Sequence, residues 1–233
     1  MRSTAYLTLL ESSATSNTPF DAGPPGLTSF FESFLASPLA KALSFAQPRI
    51  ETRPTLAHSP SPCQSQRFGD HPMRKVDNIT AFFGADDVFS NWHVAPFTYH
   101  DVRFNCVEQF KMFSKARLFG DEEIAAKILA FPHPASQKAL GRTVRDFKDS
   151  VWLAKRESIV FVGCREKFAQ NPPLLKILLE SAPTVLVEAS PTDRTWGVGL
   201  NDRDPRITDP TKWRGRNLLG ITLMRVRDQL SST

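Results

Sequence analysis

The sequence VEQFKMFSKARLFGD, from Val107 to Asp121, predicts one helix and the start of a second. The first helix runs to about Phe119 and is stopped by Gly120, because glycine commonly follows the last helical residue. Asp121 is a good N-cap, and the two glutamates after it suit the first turn of a helix that ends before Pro132. We therefore expect two consecutive helices joined by a tight turn.

Short strands are predicted ahead of these helices, where apolar and β-branched residues cluster. They span residues 79–83, 88–90 and 97–106. His100 and Asp101 lie in the middle of the third segment, and we expect a tight turn there.

Downstream of Asp121, prolines and glycines divide the chain into further elements. We predict a short helix between Pro134 and Gly141, the longest helix over 150–170, a helix over 174–181, a buried strand over 184–189, and a final helix that Asn217 caps and that ends near Leu230. Helices dominate, and the few strands do not alternate regularly with them. The predicted fold class is therefore α+β, a helix-rich single domain with a small β-sheet.

The composition describes a folded domain preceded by a segment of a different kind. The 233-residue chain is 41% hydrophobic and 23% charged, which is typical of a globular protein. Residues 1–75, however, contain 9 of the 18 prolines and 11 serines. Such segments rarely bury enough apolar surface to offset the entropy of the chain. We therefore predict that residues 1–75 are a disordered extension and that residues 76–233 form the domain.

Charge and cysteine count argue against several classes of protein. The net charge of +5 and the pI near 9.3 permit an anionic partner without requiring one. Three cysteines without a CxxC spacing argue against a disulfide scaffold, and the histidines lack metal-ligand spacing. No run approaches the roughly 18 apolar residues of a membrane span. We expect no metal, no cofactor and no membrane, and an intracellular, cytoplasmic location with the nucleus and organelles left open.

The first candidate site is a stripe on the helix that begins at Val107. Glu108, Lys111 and Lys115 are spaced to lie on one face of this helix. One interpretation is a solvent-exposed face on which Glu108 pairs with Lys111. The other is the wall of a cleft, where a carboxylate works beside a lysine of lowered pKa that acts as a nucleophile. The residue pattern alone leaves both interpretations open.

The second candidate site follows the predicted strand over 184–189. Asp193, Trp196 and Gly197 lie on a loop that can present a carboxylate and an aromatic ring to a ligand. The alternative is an ordinary turn, in which Asp193 is a turn former and Trp196 anchors the loop to the core.

Tryptophans and a basic helix start provide two further candidates. Trp92, Trp152, Trp196 and Trp213 could stack on a nucleobase, although a single tryptophan is more often a core residue. Trp152 and Arg156 are also spaced for a cation–π pair. The segment from Trp213 to Asn217 places two arginines at a helix start, which suits phosphate. These features indicate a polar cleft for an anionic ligand and do not name a reaction.

Several short strings, taken in order, resemble the NADAR superfamily of YbiA-like N-glycosidases. They include FSNW at 89–92, VEQ at 107–109, KARLFGD at 115–121, LVEASP at 186–191, DRTWGVG at 193–199 and WRGRNLLG at 213–220. The resemblance covers residues 79–230 and implies the corresponding helix-rich α+β fold. The family's usual turn glycine near Asp101 is absent here, which concerns the hairpin and not the chemistry.

The resemblance implies hydrolysis of N-glycosidic bonds without a metal. Some members of the family remove ADP-ribose from guanine bases of nucleic acids. For these, the resemblance implies a lysine that forms a Schiff base with ribose C1 after ring opening. By position this lysine is Lys115, with Lys111 as the other candidate, and Glu108 and Asp193 complete the expected catalytic set.

The resemblance also implies a set of ligand-binding residues. They are Asn91, Trp92, Lys111, Arg142, Trp152, Arg156, Trp196, Gly197, Trp213 and Asn217. The expected partner is ADP-ribosylated guanine in DNA, RNA or nucleotides, and no obligate protein partner is expected. Two alternatives stay open, an N-glycosidase of phosphorylated riboflavin-pathway intermediates and a non-catalytic module that binds ADP-ribose or nucleic acid.

Overall fold

Helices outnumber strands along residues 73–232, the part of the chain that the computed structural model describes. The strands are β1 (Arg74–Val76), β2 (Ile79–Phe82), β3 (Phe97–Tyr99), β4 (Val102–Phe104) and β5 (Val185–Glu188). The helices are α1 (Val107–Leu118), α2 (Glu122–Ala130), α3 (Pro134–Arg142), α4 (Asp149–Ala169), α5 (Pro172–Glu180) and α6 (Leu218–Ser231), with short 3-10 helices at Pro205–Thr208 and Pro210–Lys212. The α+β class is confirmed.

A three-stranded sheet determines where two of the long loops begin. Its order is β1-β2-β5, with β1 antiparallel to β2 and β2 parallel to β5. Phe82 at the end of β2 lies beside Glu188 at the end of β5. Because parallel strands end at the same edge of a sheet, the loops over 83–96 and 189–200 leave from one edge. The parallel pair therefore brings the Trp92 and Asp193 segments to the same end of the sheet.

The segment over 97–106, predicted to be strand with a tight turn in its middle, is a hairpin of β3 and β4. His100 and Asp101 form its turn, with φ angles of 45° and 62°. Two consecutive left-handed residues are what a two-residue hairpin requires, and aspartate and histidine adopt this conformation more readily than most side chains. The predicted turn is confirmed, and it forms without the glycine.

The strand predicted over 88–90 is wrong, because these residues form consecutive turns. The Asp87 carboxylate accepts a hydrogen bond from the Phe89 N–H at 3.0 Å, and the Ser90 N–H donates to the Asp87 carbonyl at 3.0 Å. Val88 and Phe89 are nevertheless fully buried. The apolar residues Val88 and Phe89 therefore indicated burial correctly. The Asp87 side chain, however, favours turns over an extended backbone at this point.

Helix α1 is the central helix of the described domain. It packs against α2, α3 and α4, and its first eight residues are buried. Phe110 and Phe113 pack edge-on against Phe104 of the hairpin. Polar side chains of α1 are therefore enclosed as well, and only 1% of Glu108 and 6% of Lys111 is exposed. The interpretation of this helix face as solvent-exposed is wrong.

Most helix ends lie where the sequence predicts them. Asp121 caps α2 by accepting a hydrogen bond from the Ile124 N–H at 3.3 Å, and Gly120 has a φ of 72°. Gly141, predicted to end α3, lies inside that helix, which continues to Arg142. A Cβ atom at position 141 would overlap the Met112 side chain. Gly141 therefore allows the close approach of α3 to α1.

The predicted boundary at residue 75 falls within β1. Arg74 and Lys75 belong to this strand and pair with β2, and the remainder of the predicted extension, residues 1–72, lies outside the described residues. Between residues 73 and 232, none of the helices combines the length and apolar character that a membrane-spanning segment requires.

Candidate active site

A pocket of about 270 Å³ opens where α1, α3, α4 and the loop after β5 meet. Each of these four elements contributes side chains to its wall. The lining residues are Glu108, Lys111, Met112, Lys115, Lys138, Gly141, Arg142, Trp152, Arg156, Asp193, Thr195 and Trp196. The structure thus brings together the two candidate sites that the sequence left separate.

Lys115 lies in this pocket with its amine partly withdrawn from water. Its Nζ donates a hydrogen bond to the Gly141 carbonyl at 2.7 Å and lies 4.1 Å from the centre of the Phe147 ring. Burial lowers the pKa of Lys115, and the nearby Lys111 ammonium lowers it further, although Asp149 opposes the shift. A lowered pKa increases the fraction of neutral amine, which is the form that attacks a carbonyl or an imine.

Lys111 differs from Lys115 because it is held in a buried ion pair. Its Nζ lies 2.6 Å from Glu108 Oε2 and 5.4 Å from the centre of the Trp196 ring. The ion pair holds this amine against Glu108 and directs it away from attack on a ligand. The other carboxylate oxygen, Glu108 Oε1, is buried and has no hydrogen-bond partner among residues 73–232. A buried oxygen of this kind is available to a ligand that enters the pocket.

Asp193 serves the loop and the pocket together. Its Oδ1 accepts hydrogen bonds from the backbone N–H groups of Thr195 and Trp196, both at 2.8 Å. The same residue lines the pocket, as does the Trp196 ring. The turn-forming and ligand-facing interpretations of this segment therefore describe one arrangement, in which a turn holds a carboxylate and a ring at the pocket wall.

Glu188 is a half-buried residue to which the sequence analysis assigned no role. Burial raises the pKa of Glu188 to about 7, and the neighbouring Asp193 and Glu108 carboxylates add to the effect, while Lys111 and Lys138 oppose it. Its Oε2 is buried without a hydrogen-bond partner in the described part of the chain. The available signal was a glutamate that ends an otherwise apolar β-branched strand.

Cations outnumber carboxylates around the pocket. Lys138, Arg142 and Arg156 line it, and no carboxylate within the described residues lies in ion-pair distance of any of the three. The Nε of Arg156 is buried without a hydrogen-bond partner in the described chain. Together with Lys111 and Lys115, these groups make the pocket suited to a phosphorylated ligand.

Five residues expected to bind ligand do not line this pocket. Trp92 lines a different cavity, and the other four are Asn91, Gly197, Trp213 and Asn217. Asn217 is fully buried, where its amide accepts from the Glu188 N–H at 3.0 Å and donates to the Leu186 carbonyl at 2.9 Å. It therefore ties the start of α6 to β5, and it makes no side-chain bond as a helix cap.

The other three residues also support the loops around the pocket. Asn91 is buried, and its backbone carbonyl accepts from the Glu108 N–H at 2.8 Å. Trp213 donates its indole N–H to the Ile207 carbonyl at 2.9 Å. A Cβ atom at Gly197 would come within 2.8 Å of the Glu188 carbonyl, so this glycine permits close backbone packing.

The helix start after Trp213 is not an open phosphate site. The N–H groups of Leu218 and Leu219 already donate to the carbonyls of Thr195 and Trp196, at 3.3 and 3.1 Å. The first turn of α6 therefore anchors the Asp193 loop. The sequence prediction failed here because the partners come from a distant loop.

Lys167 is a second buried lysine that sequence reasoning missed. Its Nζ donates to the Val88 and Ser90 carbonyls, at 2.7 and 2.9 Å, and burial lowers its pKa to about 8. These bonds hold the turns that precede Trp92. A lysine within the apolar face of α4 was the only available signal.

Comparisons with known proteins agree with the fold. The model of the NADAR domain matches residues 81–231. Protein irg-1 of Caenorhabditis elegans is 38% identical over 165 residues, 64% of this chain and 78% of that protein. N-glycosidase R617 of Acanthamoeba polyphaga mimivirus is 37% identical over 66% of this chain and 98% of its own length. The NMR structure of the Escherichia coli protein YbiA covers 74% of this chain and 94% of its own, with 27% identity and a TM-score of 0.56.

Proposed function

The chain belongs to the NADAR domain family, and from that premise we propose that it removes ADP-ribose from guanine bases of nucleic acid or nucleotides through a Schiff base on Lys115. Relatives that are named N-glycosidases support glycosidase chemistry in general. The guanine substrate and the lysine intermediate are the finer part of the proposal.

The choice of mechanism rests on one observation, which is that the two lysines of α1 have different surroundings. Lys115 combines a lowered pKa with contact to the pocket, whereas Lys111 is paired with Glu108 at 2.6 Å. Lys115 is therefore the amine that can supply a lone pair, and Lys111 is the cation that orients Glu108. This contrast favours Lys115 over the alternative that the sequence left open.

The proposed reaction begins with opening of the ribose ring. The bond between C1 and the ring oxygen breaks, the oxygen takes a proton, and C1 becomes an imine with the guanine nitrogen. Lys115 Nζ adds to C1, the bond from C1 to the guanine nitrogen breaks, and guanine leaves with a proton. Water then adds to the lysine imine, and the amine is released. The sum is substrate plus water giving ADP-ribose and unmodified guanine.

Carboxyl groups around the pocket supply the protons and the counter-charge that these steps need. Glu108 Oε1, which is buried without a partner in the described chain, can stabilise positive charge that develops at C1. Glu188 does not itself line the pocket, but burial and the neighbouring Asp193 carboxylate raise its pKa to about 7, so it can supply a proton to the carboxylates that do. Asp193 faces the pocket from the opposite wall, where it can hold a ribose hydroxyl.

The charge around the pocket supports a phosphorylated glycoside. Arg142 and Arg156 would face the pyrophosphate of ADP-ribose, since no carboxylate in residues 73–232 neutralises them by a close ion pair. Trp152 and Trp196 would provide flat walls for rings of the ligand.

The test is to trap the lysine intermediate with sodium borohydride during turnover of an ADP-ribosylated guanosine oligonucleotide. Mass spectrometry should find added ADP-ribose on the peptide that contains Lys115. Lys115→Ala should lose this adduct and at least about a hundredfold in rate, about 3 kcal/mol of transition-state stabilisation. Lys111→Ala is the matched control, because it removes the other amine from the same helix face and should still form some adduct.

The same assay separates the alternatives. Phosphorylated aminopyrimidine glycosides of the riboflavin pathway and ADP-ribosylated protein are offered beside the oligonucleotide. Turnover of the aminopyrimidines alone would replace the proposed substrate, and binding of ADP-ribose without any turnover would make the protein a reader. Full activity of Lys115→Ala would remove Lys115 from the mechanism.

A further inference from the structure

A second cavity, of about 410 Å³, lies beside the pocket that contains Lys115. The turns around residues 85–94 form one wall, and the connection between α2 and α3 forms the other. Flat side chains dominate its lining, namely Trp92, His93, Pro132, His133 and Pro134, with Asp86 among them. A cavity with flat apolar walls and a few polar groups at its edge is suited to a planar heteroaromatic ring.

Lys138 connects the two cavities. It lines the pocket of Lys115, and its Nζ lies 5.6 Å from the centre of the Trp92 ring. The backbone makes a second connection, because the Glu108 N–H donates to the carbonyl of Asn91, the residue before Trp92. These two contacts place the second cavity next to the part of the first pocket that Glu108 and Lys138 line.

The first pocket is too small to enclose the whole of the proposed substrate. At about 270 Å³ it is smaller than the roughly 300–1,000 Å³ of pockets that enclose a whole drug-sized ligand. A glycoside that carries a purine on one side of C1 and a nucleoside diphosphate on the other is larger than that. One of its ends must lie outside the first pocket.

On the basis of the proposed function, we infer that the second cavity is the subsite for the guanine ring. Trp92 would stack on the ring, and the exposed Asp86 carboxylate, which makes no hydrogen bond within residues 73–232, would accept from the N–H groups on the edge that carries N1 and N2. Guanine offers two donors there, whereas adenine presents an acceptor nitrogen that a carboxylate repels. His133 can donate from Nε2, because its Nδ1 accepts the Ala135 N–H at 3.2 Å.

The subsite is tested first by binding, which does not depend on turnover. Calorimetry with the 233-residue chain compares guanosine, inosine and adenosine monophosphates. We expect guanosine monophosphate to bind most tightly and inosine monophosphate, which lacks the 2-amino group, to bind less tightly. Asp86→Asn should reduce the preference for guanosine over adenosine monophosphate by about tenfold or more. Trp92→Leu should weaken all three by about tenfold.

Turnover of the ADP-ribosylated oligonucleotide provides the second readout. Asp86→Asn and Trp92→Leu should act mainly by raising KM. Asp101→Asn is the matched control, since it removes a carboxylate from the hairpin turn at a residue that lines neither cavity. The subsite would be overturned if the wild-type protein turns over the oligonucleotide and both cavity variants keep its KM and its base preference. The proposed function would then remain intact. Guanine-selective binding without any turnover by the wild-type protein would support the subsite and contradict the proposed function.

Discussion

The carboxyl group of Glu188 is expected to reduce the stability of the folded protein as the pH rises and to contribute to its activity. Its pKa, raised from 4.5 to about 7, means that the folded protein holds a proton there which the unfolded chain releases. Between about pH 4.5 and 7 the unfolded state therefore loses its proton first. The free energy of unfolding contributed by this group falls as the pH rises through that window.

We predict that Glu188→Gln is more stable than wild type at pH 8, by about 1–3 kcal/mol, and similar to it near pH 4.5. Its activity should fall at least about tenfold, because an amide cannot supply the proton. Chemical denaturation at the two pH values and a rate assay measure both effects. Glu180→Gln, at an exposed glutamate of α5, is the control and should change neither. Equal pH dependence of stability in Glu188→Gln and wild type would contradict the prediction.

Asp193 allows its turn and its charge to be separated by two substitutions. Asp193→Asn keeps an oxygen that can accept the Thr195 and Trp196 N–H groups, so its melting temperature should stay within about 2 °C of wild type. Activity should still fall more than tenfold because the negative charge is lost. Asp193→Ala removes the turn bonds too and should destabilise the protein by about 1–2 kcal/mol. Normal turnover per folded molecule in Asp193→Asn would show that the residue only shapes the loop.

At the scale of helices and strands, elements with local signals were predictable from the sequence. The α1–α2 junction is one, since Gly120 and Asp121 act on neighbouring residues of the backbone. The hairpin turn at His100 and Asp101 is another. The cap expected from Asn217 failed for the opposite reason, because its side chain bonds to β5, which is distant in sequence.

The candidate site also has one part that was predictable from the sequence and one part that was not. Helical spacing placed Glu108, Lys111 and Lys115 on one face, because that relation depends on α1 alone. Whether this face was buried depended on α3, α4 and the loop after β5, and no local pattern shows which elements pack together. Lys167 was missed for this reason, since only tertiary packing makes it a buried polar group, and Glu188 was missed because only tertiary packing encloses one of its carboxyl oxygens.

The contact between α3 and α1 provides a test at this scale. Gly141→Ala should destabilise the protein by about 1–3 kcal/mol, because the added methyl group overlaps Met112. The shift of α3 should also displace the carbonyl that accepts from Lys115, and lower the rate. Thermal melting and turnover are measured on this variant, on Met112→Ala and on Gly141→Ala/Met112→Ala. Additive losses of stability in the double variant would show that the overlap is not the cause.

For the molecule as a whole, the domain boundary determines which truncation is tolerated. A protein that starts at Met73 keeps β1, so we predict normal folding and normal kcat. A protein that starts at Asn78 lacks β1 and leaves the edge of β2 unpaired, and it should melt at least several degrees lower. Circular dichroism melts and a rate assay compare the two. Retained folding with lost activity in the Met73 protein would show that the preceding residues contribute to the site.

The parallel pairing of β2 with β5 has a consequence for the time at which the site forms. Ile79 pairs with Val185, 106 positions later in the sequence, and the loop that follows β5 is anchored by α6 near the C-terminus. Contacts between such distant residues form slowly, because a long chain segment must close first. A ribosome-bound chain that has reached residue 180 can contain α1 with both of its lysines, yet it lacks the carboxylates of the opposite wall. The wall that the loop after β5 contributes is therefore anchored only once α6 has been synthesised.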